Sequence, residues 1–355
     1  MVTLSSTCGQ EEGEMEFRRL GIPVVPLGMR VIGRRDKPRV RFFGVVRGLF
    51  TLYGIFKELK PSLVQSWFYQ SDILAGLMGK VLSIPVIWGI FLSNLQPKFY
   101  KKPTFTLIRL AGVVSRVLPA RIISCSTNVT RAHRKIGYPE EKTLLIPPGT
   151  ETEVFQFSKA IRHNMRRQNE VSDHEFLVGM VARDDPQKNF ELLFEGVSCL
   201  LKHSVPAKLW LAGGYGIEES NPRFIALEKK YKLSGHVRYF GTIPKIEELY
   251  PALDCFVLTS FGEGLPMSLC EAMSAERACV ASDVGDVKDL FGQSGGVALA
   301  EETAGCLANT LLELYNIGEA GRRRIGMDAR AQIVTRFSDI AMTRSYEECY
   351  RSILD

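Results

Sequence analysis

The chain has 355 residues, 45% of them hydrophobic and 24% charged, with ordinary Gly and Pro content, which excludes a disordered or fibrous protein. That length exceeds what one core usually serves, so two domains are expected. The formal charge of +6 is unevenly placed: residues 1–155 hold 22 Lys and Arg against 11 Asp and Glu, whereas residues 156–355 hold 23 against 28.

The chain opens on a weak strand, MVTLSST, followed by a helical stretch, EEGEMEFRRL. Near-continuous apolar runs then alternate with amphipathic helices. Strands are expected at 22–27, 62–67, 84–90, 121–126 and 143–148, with helices at 44–60, 71–83 and 102–118. Such runs fit a parallel sheet covered on both faces, and Trp67 and Trp88 are expected in that core. The polar stretch FSKAIRHNMRRQNEVSD, near 156–172, is read as the join. The second half repeats the theme. Strands are expected at 176–183, 208–214, 237–242, 255–260 and 278–284. Helices are expected at 189–203, 221–233, 245–252, 266–275, 303–315 and 319–336, and a last one at 338–353. Domains are therefore set at 1–155 and 156–337, with 338–355 a C-terminal helix packing back toward the first.

Eight cysteines are scattered without a C-x-x-C spacing, as in a reduced cytoplasmic protein. No stretch approaches 18 apolar residues, and no nucleic-acid module is present despite the basic first half. The segment 98–121 interleaves bases with apolar residues at helical spacing, which fits either a packed domain helix or peripheral contact with a membrane. His133 and His236 are read as satisfied polar residues and not as metal ligands.

Three loops at strand ends carry the chemistry. FGEGLPMSLCE (261–271) follows a buried strand. Its glycines permit a tight turn, Pro266 suits the first helical position, and the helix from Met267 presents free N–H groups and a positive dipole end to an anion. Glu263 and Glu271 flank that anion site, and a carboxylate can accept two hydroxyl hydrogen bonds from a sugar diol. VARDDPQKN (181–189) sets Arg183 and Lys188 in a βα turn, where two cations can hold a diphosphate without a metal, and Asn189 can cap the next helix. LAGGYG (211–216) is again strand then Gly-rich turn. Taken singly, each has an ordinary reading: a loop acid, a helix-start acid, surface cations, plain turns.

In this order the segments resemble the family 4 nucleotide-sugar glycosyltransferases. The match rests on VARDDPQKNFELLFEG, LWLAGGYG, VRYFGTIP, and FGEGLPMSLCEAM followed by VASDVGDVKDL, and it is most specific in the paired Glu263 and Glu271. The resemblance implies the α/β GT-B fold, two facing Rossmann-like domains with parallel sheets. It also implies a retaining, metal-independent transfer of a sugar from a UDP- or GDP-linked donor to a glycan or lipid-linked acceptor in envelope or exopolysaccharide biosynthesis. No cofactor is implied. Arg183 and Lys188 would hold the diphosphate, Glu271 the ribose, and Glu263 would lie beside the donor sugar. Gly264, Leu265, Pro266 and Met267 would line the donor, Gly213 and Gly214 would border the nucleotide, and Thr242 and Ile243 would lie near the base.

Departures concentrate in the first half. Relatives begin with a strand and a Gly-rich loop, and this chain reads as starting after both, so about 30–50 further residues are expected upstream. Phe91 stands where a His or Arg is usual, Gln70 where a His is usual, Pro148 for Asn and Glu151 for Asp, and SAERACV replaces a Gly-Pro turn. Two other readings therefore stay open: a nucleotide-sugar-binding protein without turnover, or a nucleotide-sugar epimerase on the same fold.

Overall fold

The computed structural model describes residues 2–3, 15, 17–26, 38–93, 95, 101–214 and 216–355. Half of the EEGEMEFRRL stretch (residues 11–14 and 16), the start of the 98–121 segment and Tyr215 of LAGGYG lie outside them. Two compact units divide the chain: Met1–Ile146 with Glu347–Asp355, and Pro147–Tyr346.

In the first unit, β1 (Val2–Thr3) pairs in parallel with β2 (Val25–Pro26). A separate parallel sheet runs in the order β3 (Val64–Trp67), β4 (Val86–Ile90), β5 (Arg121–Ser124), β6 (Thr143–Leu145). Helices Pro38–Leu59, Tyr69–Leu82, Lys102–Val114 and Thr127–Arg134 connect or precede these strands. Trp88, Ile90, Ile108, Ala111, Ile122 and Val129 form the core. Trp67 does not belong to it: among the described residues β3 is an edge strand, and its alternation turns Ser66 inward and leaves Trp67 46% exposed. His133 is buried and satisfied, 2.8 Å from the Tyr69 hydroxyl through Nε2 and 2.9 Å from the Val129 carbonyl through Nδ1. Burial pushes its imidazole down to about 4, against the opposing effect of the Val129 bond.

The second unit holds six parallel strands in the order β9 (Val237–Tyr239), β8 (Ala207–Ala212), β7 (Phe176–Val181), β10 (Cys255–Leu258), β11 (Ala278–Ser282), β12 (Val297–Leu299). This is the doubly wound order, and it reverses between β7 and β10. The short β12 and the helix Val287–Phe291 carry too few apolar residues to announce themselves in the sequence. The helix expected at 245–252 is instead two 3₁₀ turns, Ile246–Glu248 and Tyr250–Ala252, since Pro251 lacks the N–H that would continue an α-helix.

The polar segment 156–172 is structured as well. Helix Lys159–Gln168 starts at Ser158, whose hydroxyl accepts from the Ile161 amide at 3.3 Å. Arg166 is buried and donates to Asp254 and to the carbonyls of Ala252, Ser172 and Glu175. Asp254, also buried, further accepts from Arg162 at 2.7 Å and from the Leu177 amide at 2.8 Å. Burial alone would raise this carboxyl, but Arg162, Arg166 and that amide outweigh it and hold the group below its usual range. A depressed pKa stabilises the fold above the unfolded value and is lost as pH falls through the folded one. Asp254→Asn is thus expected to lower stability by about 1.5–3 kcal/mol at neutral pH and to flatten the acid limb of unfolding, read by denaturant titration across pH.

Candidate functional site

Open α/β sheets bind ligands outside the carboxyl ends of the strands, at the point where the order reverses. Here that point lies between the loops after β7 and β10, which are VARDDPQKN and FGEGLP. The two loops are fastened to each other. The Phe261 amide donates to the Gln187 carbonyl at 2.8 Å, and the Gln187 amide group donates to the Gly262 carbonyl. Thr259, fully buried at the end of β10, donates to the carbonyls of Lys188 and Asn189 at 3.1 and 3.0 Å. Lys188 Nζ lies 2.6 Å from Glu263 Oε1, with the two side chains only 19% and 13% exposed.

The flanking loops close in on both sides. Gly213, at φ +136°, follows β8, and a Cβ there would lie 2.0 Å from the Ala182 carbonyl oxygen. Gly285, at φ +59°, follows β11, and a Cβ would lie 2.5 Å from the Glu263 carbonyl oxygen and 3.0 Å from that of Gly264. Only glycine lets four loops crowd together in this way. Asp184 ties the β7 loop to the start of helix Pro222–Tyr231, accepting from Asn221 at 2.9 Å and from Arg223.

Helix Met267–Ser274 begins one residue later than expected, with Pro266 as its N-cap. The Pro266 carbonyl accepts from Leu269 and Cys270, and among the described residues nothing accepts from the amides of Met267 and Ser268. Glu271 is partly buried on this helix, where its Oε2 accepts from the buried Tyr250 hydroxyl. Burial raises the Glu271 carboxyl above its usual value, the Tyr250 bond lowers it, and Glu151 raises it further.

The structure thus joins Lys188 to Glu263, and packs Gly264 against the β11 loop and Gly213 against the β7 loop. A Cβ on Gly214 would be 3.8 Å from Thr242 Oγ1, which places those two turns side by side. Thr242 is exposed, Ile243, Leu265 and Met267 are half-buried, and Pro266 is buried. Arg183 sits in the same loop as Lys188, exposed and without an ion pair among the described residues. Glu271 is held by Tyr250 and is not bonded to Glu263. Among the described residues no group of three or more His, Cys, Asp or Glu is placed to hold a metal ion.

Sequence reasoning missed Thr259, Gln187, Tyr250 and Gly285. A polar Thr closing the apolar run CFVL was the available signal for the first. It also missed Ser260 and Ser282, buried hydroxyls after β10 and at the end of β11 that lack a partner among the described residues.

A doubly wound domain with cations, acids and free helix amides at its switch point belongs to the class of nucleotide-binding α/β domains. Residues 161–332, just under half of the chain, match the family Glycosyl transferases group 1. It is 27% identical to EpsD of Bacillus subtilis over 210 residues, 58% of this chain and 54% of that protein. It is 26% identical over 281 residues to the N,N'-diacetylbacillosaminyl-diphospho-undecaprenol alpha-1,3-N-acetylgalactosaminyltransferase of Campylobacter jejuni, 77% of this chain and 71% of that protein. The chain thus spans only about half the length of the first of these relatives. Among solved structures, Anabaena HepE in complex with UDP-glucose superposes with a TM-score of 0.79 at 18% identity, over 96% of this chain and 88% of that one. A glycosyltransferase from Rickettsia africae superposes with a TM-score of 0.81 at 18% identity, over 100% and 89%. These likenesses establish a GT-B-like fold with two parallel sheets.

Proposed function

We propose that the chain transfers a glycosyl group from a nucleoside diphosphate sugar to a lipid-linked or glycan acceptor, with retention and without a metal, in building an envelope or secreted polysaccharide. The observation that carries this reading is the Lys188–Glu263 pair at the β7/β10 switch point, beside a helix tip with two unengaged amides. Lys188 has three N–H donors and gives one to Glu263, so two remain for oxygens of a diphosphate. Arg183, exposed in the same loop, supplies a second cation. Glu271 accepts from the ribose diol, and Glu263 from a hydroxyl of the donor sugar. The relative from Campylobacter jejuni is named for a diphospho-undecaprenol acceptor, and HepE was crystallised with UDP-glucose, which supports a uridine donor and a lipid diphosphate acceptor for this chain.

The bond between the anomeric carbon and the diphosphate oxygen breaks as that carbon bonds to the acceptor oxygen. The acceptor's proton passes to the departing phosphate, so no side-chain base is needed. Charge grows on the leaving group, and fixed cations and amide dipoles stabilise it most at that moment.

A thermal-shift panel of UDP- and GDP-sugars tests the reading. One donor is expected to raise Tm by an amount that grows with its concentration over Kd, and Glu271→Ala is expected to remove the rise. If no nucleotide sugar shifts Tm, the donor assignment is wrong. A shift without release of nucleoside diphosphate to any acceptor favours the binding-protein reading, to which Phe91 and Gln70 in the first half already lend weight.

A further inference from the structure

We infer that Arg223 is a positioning residue of the donor site: resting on the donor reading above, its charge masks Asp184 and so keeps the loop after β7 able to receive a diphosphate. The loop poses an electrostatic problem. RDDPQK (183–188) carries two acids beside its two cations, and Glu263 of the loop after β10 adds a third acid. Two cations against three acids repel a diphosphate unless the acids are engaged. Two of them are engaged close by. Glu263 accepts from Lys188, and Asp185 Oδ1 accepts from the Gln187 amide at 2.9 Å as the cap of the 3₁₀ turn Pro186–Lys188. Asp184, the third, adjoins the exposed Arg183 in sequence.

The partners of Asp184 come from the next βα unit. Arg223 donates to its Oδ1 from 39 positions away, and Asn221 donates to its Oδ2 at 2.9 Å from 37 positions away. Both carboxylate oxygens are thus occupied, and Arg183 is left without an ion pair among the described residues. Three features aim the pair. Arg223 is the second residue of helix Pro222–Tyr231, and its amide donates to the capping Asn221 side chain at 3.0 Å. Its guanidinium carbon lies 5.7 Å from the ring centroid of Phe190, the fully buried residue that opens helix Phe190–Lys202, which limits its swing. Gly216, at φ +84°, leaves room for the carboxylate, since a Cβ there would lie 2.9 Å from Asp184 Cβ, and its carbonyl accepts from Asn221 at 2.7 Å. The paired side chains are 36% and 20% exposed, so the bond adds little to stability. Its effect is on the field that an anion meets: with Arg223 counted, three cations balance three acids, and the free amides of the nearby helix tip then decide the sign. Without it, the Asp184 carboxylate either captures Arg183 or faces the diphosphate, and both weaken binding.

The test is calorimetric titration of the full chain with UDP and with GDP, at low and high salt. Arg223→Gln is expected to weaken nucleotide binding about tenfold at low salt, and by less at high salt, where the unmasked charge is screened. Arg223→Lys keeps the charge but not the planar fork, so it should retain most of the affinity. The distinguishing variant is Asp184→Asn placed in Arg223→Gln. It removes the unmasked carboxylate and is expected to recover most of the loss, whereas a network that only braces the two loops would lose further. Thermal unfolding without nucleotide checks that each variant is folded. Wild-type affinity in Arg223→Gln overturns the assignment, and so does a loss that high salt leaves unchanged or that Asp184→Asn fails to recover. If the wild type binds neither nucleotide, the donor reading and this assignment fall together. Wild-type binding without recovery in the double variant ends this assignment alone.

Discussion

Lys188→Ala is expected to lower kcat/KM for the donor by about 10²–10³. The wild-type ammonium is 2.6 Å from Glu263 in a mostly buried position, so it cannot swing freely into water and is held where a diphosphate would arrive. Truncation removes a cation whose attraction rises as the leaving group gains charge, so kcat falls along with affinity. It also leaves Glu263 partly buried without its partner, a carboxylate aimed toward an incoming anion. Glu263→Gln alone should weaken donor binding less, because Lys188 keeps its charge and gains a free donor. The double variant should then lose less than the two single losses combined, the signature of a coupled pair. Stability of Lys188→Ala should fall by about 1–3 kcal/mol, because truncation leaves a mostly buried carboxylate without its partner. Kinetics of nucleoside diphosphate release, with donor Kd measured by calorimetry, separate these effects. An unaltered kcat/KM in Lys188→Ala would remove Lys188 from the diphosphate site.

How far the sequence reaches follows from what each feature depends on. Strands such as FLVGMV and ACVAS are legible because burial on both faces demands continuous apolar runs. The loops after β7 and β10 are legible only together, because glycine or charge at a single strand end also fits a plain turn or a solvated surface. What stays hidden depends on partners distant in sequence. Arg166 looks like a linker residue until Asp254, 88 positions away, and the carbonyls of Ala252 and Ser172 enclose it. Trp67 looks like core until the sheet order makes β3 an edge. The fastening of the loops after β7 and β10 by Thr259 and Gln187 joins residues about 70 positions apart, at types that carry no signal alone. The same holds for Tyr250, which reads as one more aromatic beside a proline and proves to hold the carboxylate of Glu271.

That last contact predicts a pH dependence with a definite sign. Glu271→Ala is expected to raise donor Kd by about 100-fold or more, since a carboxylate accepting two ribose hydroxyls makes two charge-assisted bonds. Only the ionised form accepts both. Burial holds the Glu271 carboxyl above its usual value of 4.5, with Glu151 adding to the effect and Tyr250 opposing it. A carboxyl raised by folding weakens the free protein as pH rises from the unfolded pKa to the folded one and adds nothing further above it. Donor binding runs the other way: affinity rises with pH across that same window, which starts near the usual value and ends above it. Glu271→Gln should abolish the rise. Tyr250→Phe removes the hydroxyl that favours the ionised form, so the midpoint should move to higher pH, whereas a role for Tyr250 in packing alone would weaken binding equally at every pH. Calorimetric titration of the donor from acid to neutral pH reads all three proteins. A wild-type midpoint unmoved in Tyr250→Phe would leave Tyr250 as core, and a pH dependence that survives in Glu271→Gln would place the titrating group elsewhere.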